Sequence, residues 1–219
     1  MYLALKDGLA HTKCQDDIIF LDLAASRYFA LPRQIHASFD KLVTSGLLNE
    51  AEHAEIAAVL GAGYLCESQE PPCRRYDMPD RIETELVPHA DAAGLMDIAL
   101  ALQARAKAAF MLRWQSLHSI THALKIRKHE TCWTARSLDD AARIARAFGQ
   151  IAPFLRSRDQ CLPISLALML MLLARSIPAT MIIGVRTHPF GAHCWIQLGG
   201  LLINEQPDRV AGFAPILVI

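Results

Sequence analysis

The sequence carries no excess of either charge. Lys+Arg and Asp+Glu stand at 22 each, so no global field draws in nucleic acid or an anionic membrane, and any partner must be recognised locally. Met1–Asp7 lacks a basic start followed by an apolar run, which excludes a secretory signal there. No apolar stretch reaches the ~20 residues that a bilayer requires. The most apolar one, Leu162–Ala174, holds Pro163 and Ser165 and is followed by Arg175, and it reads as a buried core helix. The six cysteines (Cys14, Cys66, Cys73, Cys132, Cys161 and Cys194) include no C-x-x-C pair, so no zinc or dithiol redox site is expected and no metal is called for. Without an export signal a disulfide framework is not expected either, and the chain is read as cytoplasmic with reduced thiols. There is no G-x-x-x-x-G-K-[ST] loop, no internal repeat and no low-complexity tract.

What is present is enough apolar material, 53% of 219 residues, to build a packed core in one large domain or two small ones. The front reads as strands followed by helices. Asp16–Leu23 is an apolar run bounded by acids, and Arg27–Leu31 is aromatic and β-prone until Pro32 stops it. Ile35, Phe39, Leu42 and Val43 follow helical spacing. Asn49 with Glu52 resembles a capping box ahead of Ile56, Val59 and Leu60, and Gly61 and Gly63 end that helix. The polar stretch Glu67–Asp80 holds three prolines and has the composition of a linker.

Beyond the linker, Ala92–Leu124 reads as long helix with a break near His118. Between Ile98 and His129 stand six basic residues (Arg105, Lys107, Arg113, Lys125, Arg127 and Lys128) and no acidic one. A solvated helix face explains such a run more economically than an anion-binding surface. Ser137–Asp140 opens a further helix running to Phe148.

The chemistry is concentrated in the last sixty residues. Pro163 is tolerated only in a first helical turn, so Cys161 sits at the start of the helix that continues to Ser176. There the helix dipole and unpaired backbone N–H groups favour a thiolate, and the same N–H groups can serve an oxyanion. Pro178–Arg186 and Ala192–Leu198 read as strands joined by a loop over Thr187–Gly191. Period-2 alternation places His193, Trp195 and Gln197 on one face of the second strand and Cys194 on the other. Cys161 is therefore the thiol available to His193, and Cys194 is not. Gly199-Gly200 signals a hairpin returning through Leu201–Glu205. A two-residue loop sets Asn204 opposite Trp195 on the histidine's face, whereas a three-residue loop sets Glu205 there. Either residue type can orient an imidazole.

At these residues the sequence resembles the B-protein leader peptidases of lasso-peptide biosynthesis, members of the transglutaminase-like superfamily. The segments are Cys161–Leu168, Ile182–Phe190, Ala192–Trp195 and Gly199–Pro207, with 32 positions from Cys161 to His193 and 12 more to Glu205. The family has aspartate where Glu205 stands, and this matching position favours Glu205 over Asn204 as the third member. Asp17–Leu23 and Arg27–Leu31 are similar to the PqqD-like precursor-recognition module.

These resemblances imply an α+β chain. A small winged-helix-like unit of three strands and three helices is expected over residues 1–66, a linker over 67–88, and a transglutaminase-like, papain-like domain over 89–219. In that domain the nucleophile's helix packs on an antiparallel sheet. The implied activity is a cysteine peptidase that binds the leader of a ribosomally made precursor and cuts it from the core peptide. Cys161 is the nucleophile, His193 the base and Glu205 the orienting group. Tyr28 and Phe29 lie on the candidate edge strand for leader binding, unless both rings are core. An asparagine-synthetase-like macrolactam cyclase is the implied partner. No cofactor is needed for the cleavage, although the family is described as ATP-dependent. Either the basic helix from Arg105 to Lys128 takes the nucleotide, or the nucleotide serves the cyclase. The same three residues suit an acyltransferase or transglutaminase, and a non-catalytic leader-binding adaptor is the remaining alternative.

Overall fold

The computed structural model describes residues 2–61, 64–70, 78–86, 93–130, 138–155 and 160–219. It divides into two compact units, Met1–Asp77 and Met78–Ile219, each with a core of its own. Strands and helices coexist without parallel alternation, which is the expected α+β class.

In the first unit β1 (Tyr2–Leu5) is followed by a meander of β2 (Leu9–Cys14), β3 (Asp17–Asp22) and β4 (Arg27–Leu31). The β3–β4 turn is held by Asp22, whose Oδ1 accepts the N–H groups of Ala24 at 3.0 Å and Ala25 at 2.9 Å. Then come α1 (His36–Ser45), closed by Gly46 in the left-handed region (φ 65°), and α2 (Glu50–Leu60). Asn49 and Glu52 form the expected capping box, with Glu52 N–H donating to Asn49 at 2.8 Å and Asn49 N–H to Glu52 at 3.1 Å. Phe20, Phe39, Leu42 and Ile56 fill the core.

The expectation of three strands and three helices needs correction in its count. Among the described residues the first unit has five strands, since β5 (Leu65–Ser68) pairs antiparallel with β1, and two α-helices besides a short 3-10 turn at Arg33–Ile35. Tyr2–Leu5 is too short to announce itself by periodicity, and its partner lies sixty residues away. Within the segment expected as a linker, 67–88, Glu67 and Ser68 belong to β5 and Thr84–Glu85 form β6. Residues 71–77 and 87–88 of it lie outside the described residues, as does Gly63.

The second unit continues with α3 (Leu95–Trp114), α4 (Leu117–Glu130), α5 (Leu138–Ile151) and α6 (Cys161–Ala174). The helix breaks at Gln115-Ser116, near His118 as expected, where Ser116 caps the following turn through Ser119 N–H at 3.2 Å. Next are β7 (Thr180–Thr187), β8 (Phe190–Leu198), β9 (Leu201–Leu202), α7 (Pro207–Val210) and β10 (Ala214–Val218). The sheet order is β10-β7-β8-β9-β6, antiparallel throughout except for β6 against β9. Helix α6 packs against α3, α5 and the strands β7 and β8, which explains why it is apolar nearly all round.

The tightest approach in this sheet lies between β7 and β8. Gly184 stands directly opposite His193, and a Cβ there would lie 2.7 Å from the Trp195 indole and 2.9 Å from Phe213. Only glycine lets both rings close over this part of the sheet. Gly184→Ala is therefore expected to destabilise the fold by about 1–3 kcal/mol through overpacking, read as a lower thermal unfolding midpoint.

Candidate active site

Cys161 is the first residue of α6, as Pro163 in the first turn requires, and Ile164 N–H closes that turn on the Gln160 carbonyl at 3.0 Å. Its thiol is half-buried and receives backbone N–H groups from two directions: Leu162 on its own helix and Cys194 on β8. These are the donors an oxyanion beside the sulfur would meet.

His193 projects from β8 on the face it shares with Trp195 and Gln197. Its ring lies 6.2 Å from Trp195, nearly parallel at 25°, and 5.4 Å from Phe213. Trp195 is fixed in turn, its indole N–H donating to Gln197 Oε1 at 3.1 Å while the Gln197 amide donates to the Asp80 carbonyl at 3.0 Å. The imidazole thus has little freedom to rotate. Its Nε2 stands 2.9 Å from Glu205 Oε1, a close charge contact that lies off the line of the ring N–H. Nδ1 is then the nitrogen left for the Cys161 thiol, with which the ring interacts.

Of the two candidates for the third member, the structure brings Glu205 to the imidazole. The hairpin nevertheless has the tight loop, with Leu198 opposite Leu201, for which a continued ladder would have delivered Asn204. The ladder does not continue. β9 ends at Leu202, the Ile203 N–H still reaches the Ile196 carbonyl at 3.0 Å, and then Asn204 turns its side chain back to accept the Ile196 N–H at 2.9 Å. The chain bends at this point and Glu205 swings over His193. Asn204 Nδ2 instead donates to Ser165 Oγ at 3.0 Å.

The electrostatics favour a charged pair. Burial pushes the Cys161 thiol up, but the His193 hydrogen bond and charge and the two backbone donors outweigh it, leaving the thiol below its ordinary range. His193 is raised to about 9, first by its hydrogen bond to Cys161 and then by Glu205, against the effect of burial. Glu205 also meets Arg209 Nε at 3.5 Å. Cys194 is the opposite case: fully buried beneath the sheet, its thiol is pushed strongly up by desolvation. It is a core residue.

Tyr28 and Phe29 lie on β4, an edge strand of the first unit. The Phe29 ring stacks on Phe20 at 5.1 Å with the planes 5° apart, so it belongs to that core, while Tyr28 takes the other face of the strand. The basic run is divided. Arg105 on α3 donates to the Gln160 side chain, Arg113 lies over Trp114 at 5.3 Å, and Lys128 on α4 donates to Thr180 at 3.1 Å. Among the described residues no group of three or more His, Cys, Asp or Glu is placed to hold a metal. Sequence reasoning missed Phe213, whose only signal was an aromatic next to Gly212, and the pairing of Ser165 with Asn204. A lone hydroxyl inside an otherwise apolar helix was the available hint.

A helix-borne cysteine meeting a strand-borne histidine and a following acid has a counterpart among known families. The sequence profile of the transglutaminase-like superfamily matches residues 102–218, which include all three residues. The chain belongs to the transglutaminase-like superfamily. It is also similar to the microcin J25-processing protein McjB of Escherichia coli, 45% identical over 51 residues. That match spans 23% of this chain and 24% of McjB, so it covers only about a quarter of the curated relative's length. No solved structure gives a match.

The pH dependence has a definite sign. A thiol held below its usual range is more fully ionised at any given pH, so Cys161 should be alkylated by iodoacetamide faster than Cys14, Cys66 or Cys194, and the rate should fall as acid protonates the thiolate. A histidine at about 9 keeps its proton until the pH rises through 9. Glu205→Gln removes one of the two groups raising it, so an alkaline activity limit near that pH should move toward neutrality. An unmoved limit would remove Glu205 from the site.

Proposed function

We propose that this chain is a cysteine peptidase that cleaves the leader from a ribosomally synthesised lasso-peptide precursor. The convergence of Cys161, His193 and Glu205 on one another, with the thiol shifted toward thiolate, is the observation that carries the reading. The name of McjB, a processing protein for microcin J25, supports a precursor peptide as the substrate class.

The Cys161 thiolate attacks the carbonyl carbon at the leader–core junction, and the resulting oxyanion is met by backbone N–H groups of the kind that Leu162 and Cys194 supply around the sulfur. His193 starts protonated, so it can pass its proton to the leaving amine as the peptide C–N bond breaks. The core peptide departs with a free N-terminus, and the leader acyl group remains as a thioester on Cys161. His193, now neutral, takes a proton from water, whose hydroxide oxygen displaces the sulfur and releases the leader as a carboxylic acid. Glu205 holds the imidazole and stabilises its charged form throughout.

The first unit would bind the leader as an added strand along β4, whose backbone edge is the available feature, since the Phe29 ring is committed to the core. Tethering in this way raises the local concentration of the junction at the second unit. The released amine suits an asparagine-synthetase-like cyclase as the next partner, and ATP is assigned to that cyclase rather than to the basic residues on α3 and α4. A cytoplasmic setting fits a substrate made on ribosomes and thiols that must stay reduced; among the described residues no helix is long and apolar enough to cross a membrane. An acyltransferase would use the same residues but pass the thioester to an amine.

Incubation with precursor peptide and subsequent mass spectrometry separates the readings. Hydrolysis gives two unmodified fragments whose masses together exceed the precursor's by one water, whereas acyl transfer gives a product bearing the added amine. Cys161→Ala should abolish cleavage and leave leader affinity unchanged. A variant that still supports maturation in full would identify an adaptor instead.

A further inference from the structure

Strand β8 loses its neighbour just where the histidine begins to matter. β9 stops at Leu202, and the last β8 residue with a partner on that side is Ile196, served by Ile203 and by the Asn204 side chain. In a ladder the N–H and C=O of one residue face the same edge, and the next residue to face this edge is Cys194. Both of its backbone groups would be left without a strand to meet. Helix α6 meets them instead. The Cys194 N–H is directed to the Cys161 sulfur, and the Cys194 carbonyl accepts from Ser165 Oγ at 2.9 Å. Positions 161 and 165 are one helical turn apart on one face, so two side chains of α6 stand in for the absent strand.

Ser165 is fully buried, and its hydroxyl is polarised in one sense only. Asn204 Nδ2 can only donate to it, at 3.0 Å, and the Cys194 carbonyl can only accept from it. The other end of Asn204 is held by the Ile196 N–H. A closed, satisfied chain therefore joins the helix carrying Cys161, the strand carrying His193 and the bend carrying Glu205. Its members are Ile196 N–H, the Asn204 amide, the Ser165 hydroxyl and the Cys194 carbonyl. None of these groups is a side chain of Cys161, His193 or Glu205.

We infer that Ser165 and Asn204 are positioning residues, which set the spacing of Cys161 and His193 by locking the backbone at Cys194 onto α6. The inference rests on the reading of Cys161 and His193 as the reacting pair. Without the Ser165 hydroxyl the Cys194 carbonyl has no partner, the strand is free to drift from the helix, and the thiol loses both its backbone donor and its close imidazole. A displacement of about an ångström is enough to cost on the order of a hundredfold in a reaction that depends on alignment.

The test uses the full-length protein carrying Ser165→Ala or Asn204→Asp, with site-resolved iodoacetamide alkylation tracked across pH and thermal unfolding measured alongside. Asn204→Asp keeps an oxygen for the Ile196 N–H and removes the amide donor to Ser165, so it preserves the bend and decides the matter should Ser165→Ala not fold. The expected result is alkylation of Cys161 slowed at least about tenfold at neutral pH, with its acid midpoint moved up toward that of an ordinary thiol and Cys66 unchanged. Folded variants with a lowered unfolding temperature but the wild-type rate and midpoint would show the network to be merely structural, which overturns the inference. A wild-type Cys161 no more reactive than Cys66 would remove the underlying reading of the pair instead.

Discussion

Two opposite charges held in a half-buried site cost solvation that their mutual attraction must recover, and the recovery depends on the remaining hydrogen bonds. Here the sulfur is met by two backbone N–H groups and an imidazole, and the imidazole by a carboxylate. Each of these partners arrives from a different element: the start of α6, β8, and the bend after β9. The geometry of the pair is accordingly a property of how three elements are tied together, and the ties lie mostly beneath the reacting groups. Gly184 lets Trp195 and Phe213 close around the imidazole, Gln197 anchors Trp195, and Ser165 with Asn204 fastens strand to helix. Loss of Gln197, Ser165 or Asn204 leaves a polar partner unmet in a buried setting, where the penalty is largest, while a side chain at Gly184 would force the two rings apart.

Two members of this site are legible from local sequence pattern. Pro163 places Cys161 at a helix start because a ring without an N–H fits nowhere else in a helix. Alternation along β8 separates His193 from Cys194, and the structure buries Cys194 beneath the sheet. Both periodicities act within a few residues. The choice between Asn204 and Glu205 does not yield to alternation, which assumes a ladder that runs on. The ladder stops because an asparagine side chain, at 2.9 Å, takes the backbone N–H that a strand residue would have taken. Competition of this kind between side chain and backbone is local in space, yet it has no periodic signature.

The first unit shows the complementary limit. β3 and β4 are legible from their apolar, β-branched and aromatic content, and the capping box from its spacing. The pairing of β1 with β5 is not, because four-residue strands separated by sixty residues carry no mutual mark. Phe29 illustrates a third case. An aromatic on an edge strand reads equally as binding surface or as core, and only the position of Phe20 at 5.1 Å decides which face the ring takes. β4 is nevertheless an edge of its sheet, and the backbone of an edge strand is the part that an extended peptide uses.

The placement of the Glu205 carboxylate has a consistent physical account. That carboxylate touches two cations, His193 through Oε1 at 2.9 Å and Arg209 through Oε2 at 3.5 Å. Arg209 is two-thirds exposed, at 68%, so that contact is screened and weak, and it does little to hold the charge. The hold comes from the imidazole, which is itself 14% exposed and protonated through its thiol partner. The early bend is what brings position 205 to the ring, since a ladder running on past Leu202 would set Asn204 on the histidine's face and turn the residue after it away.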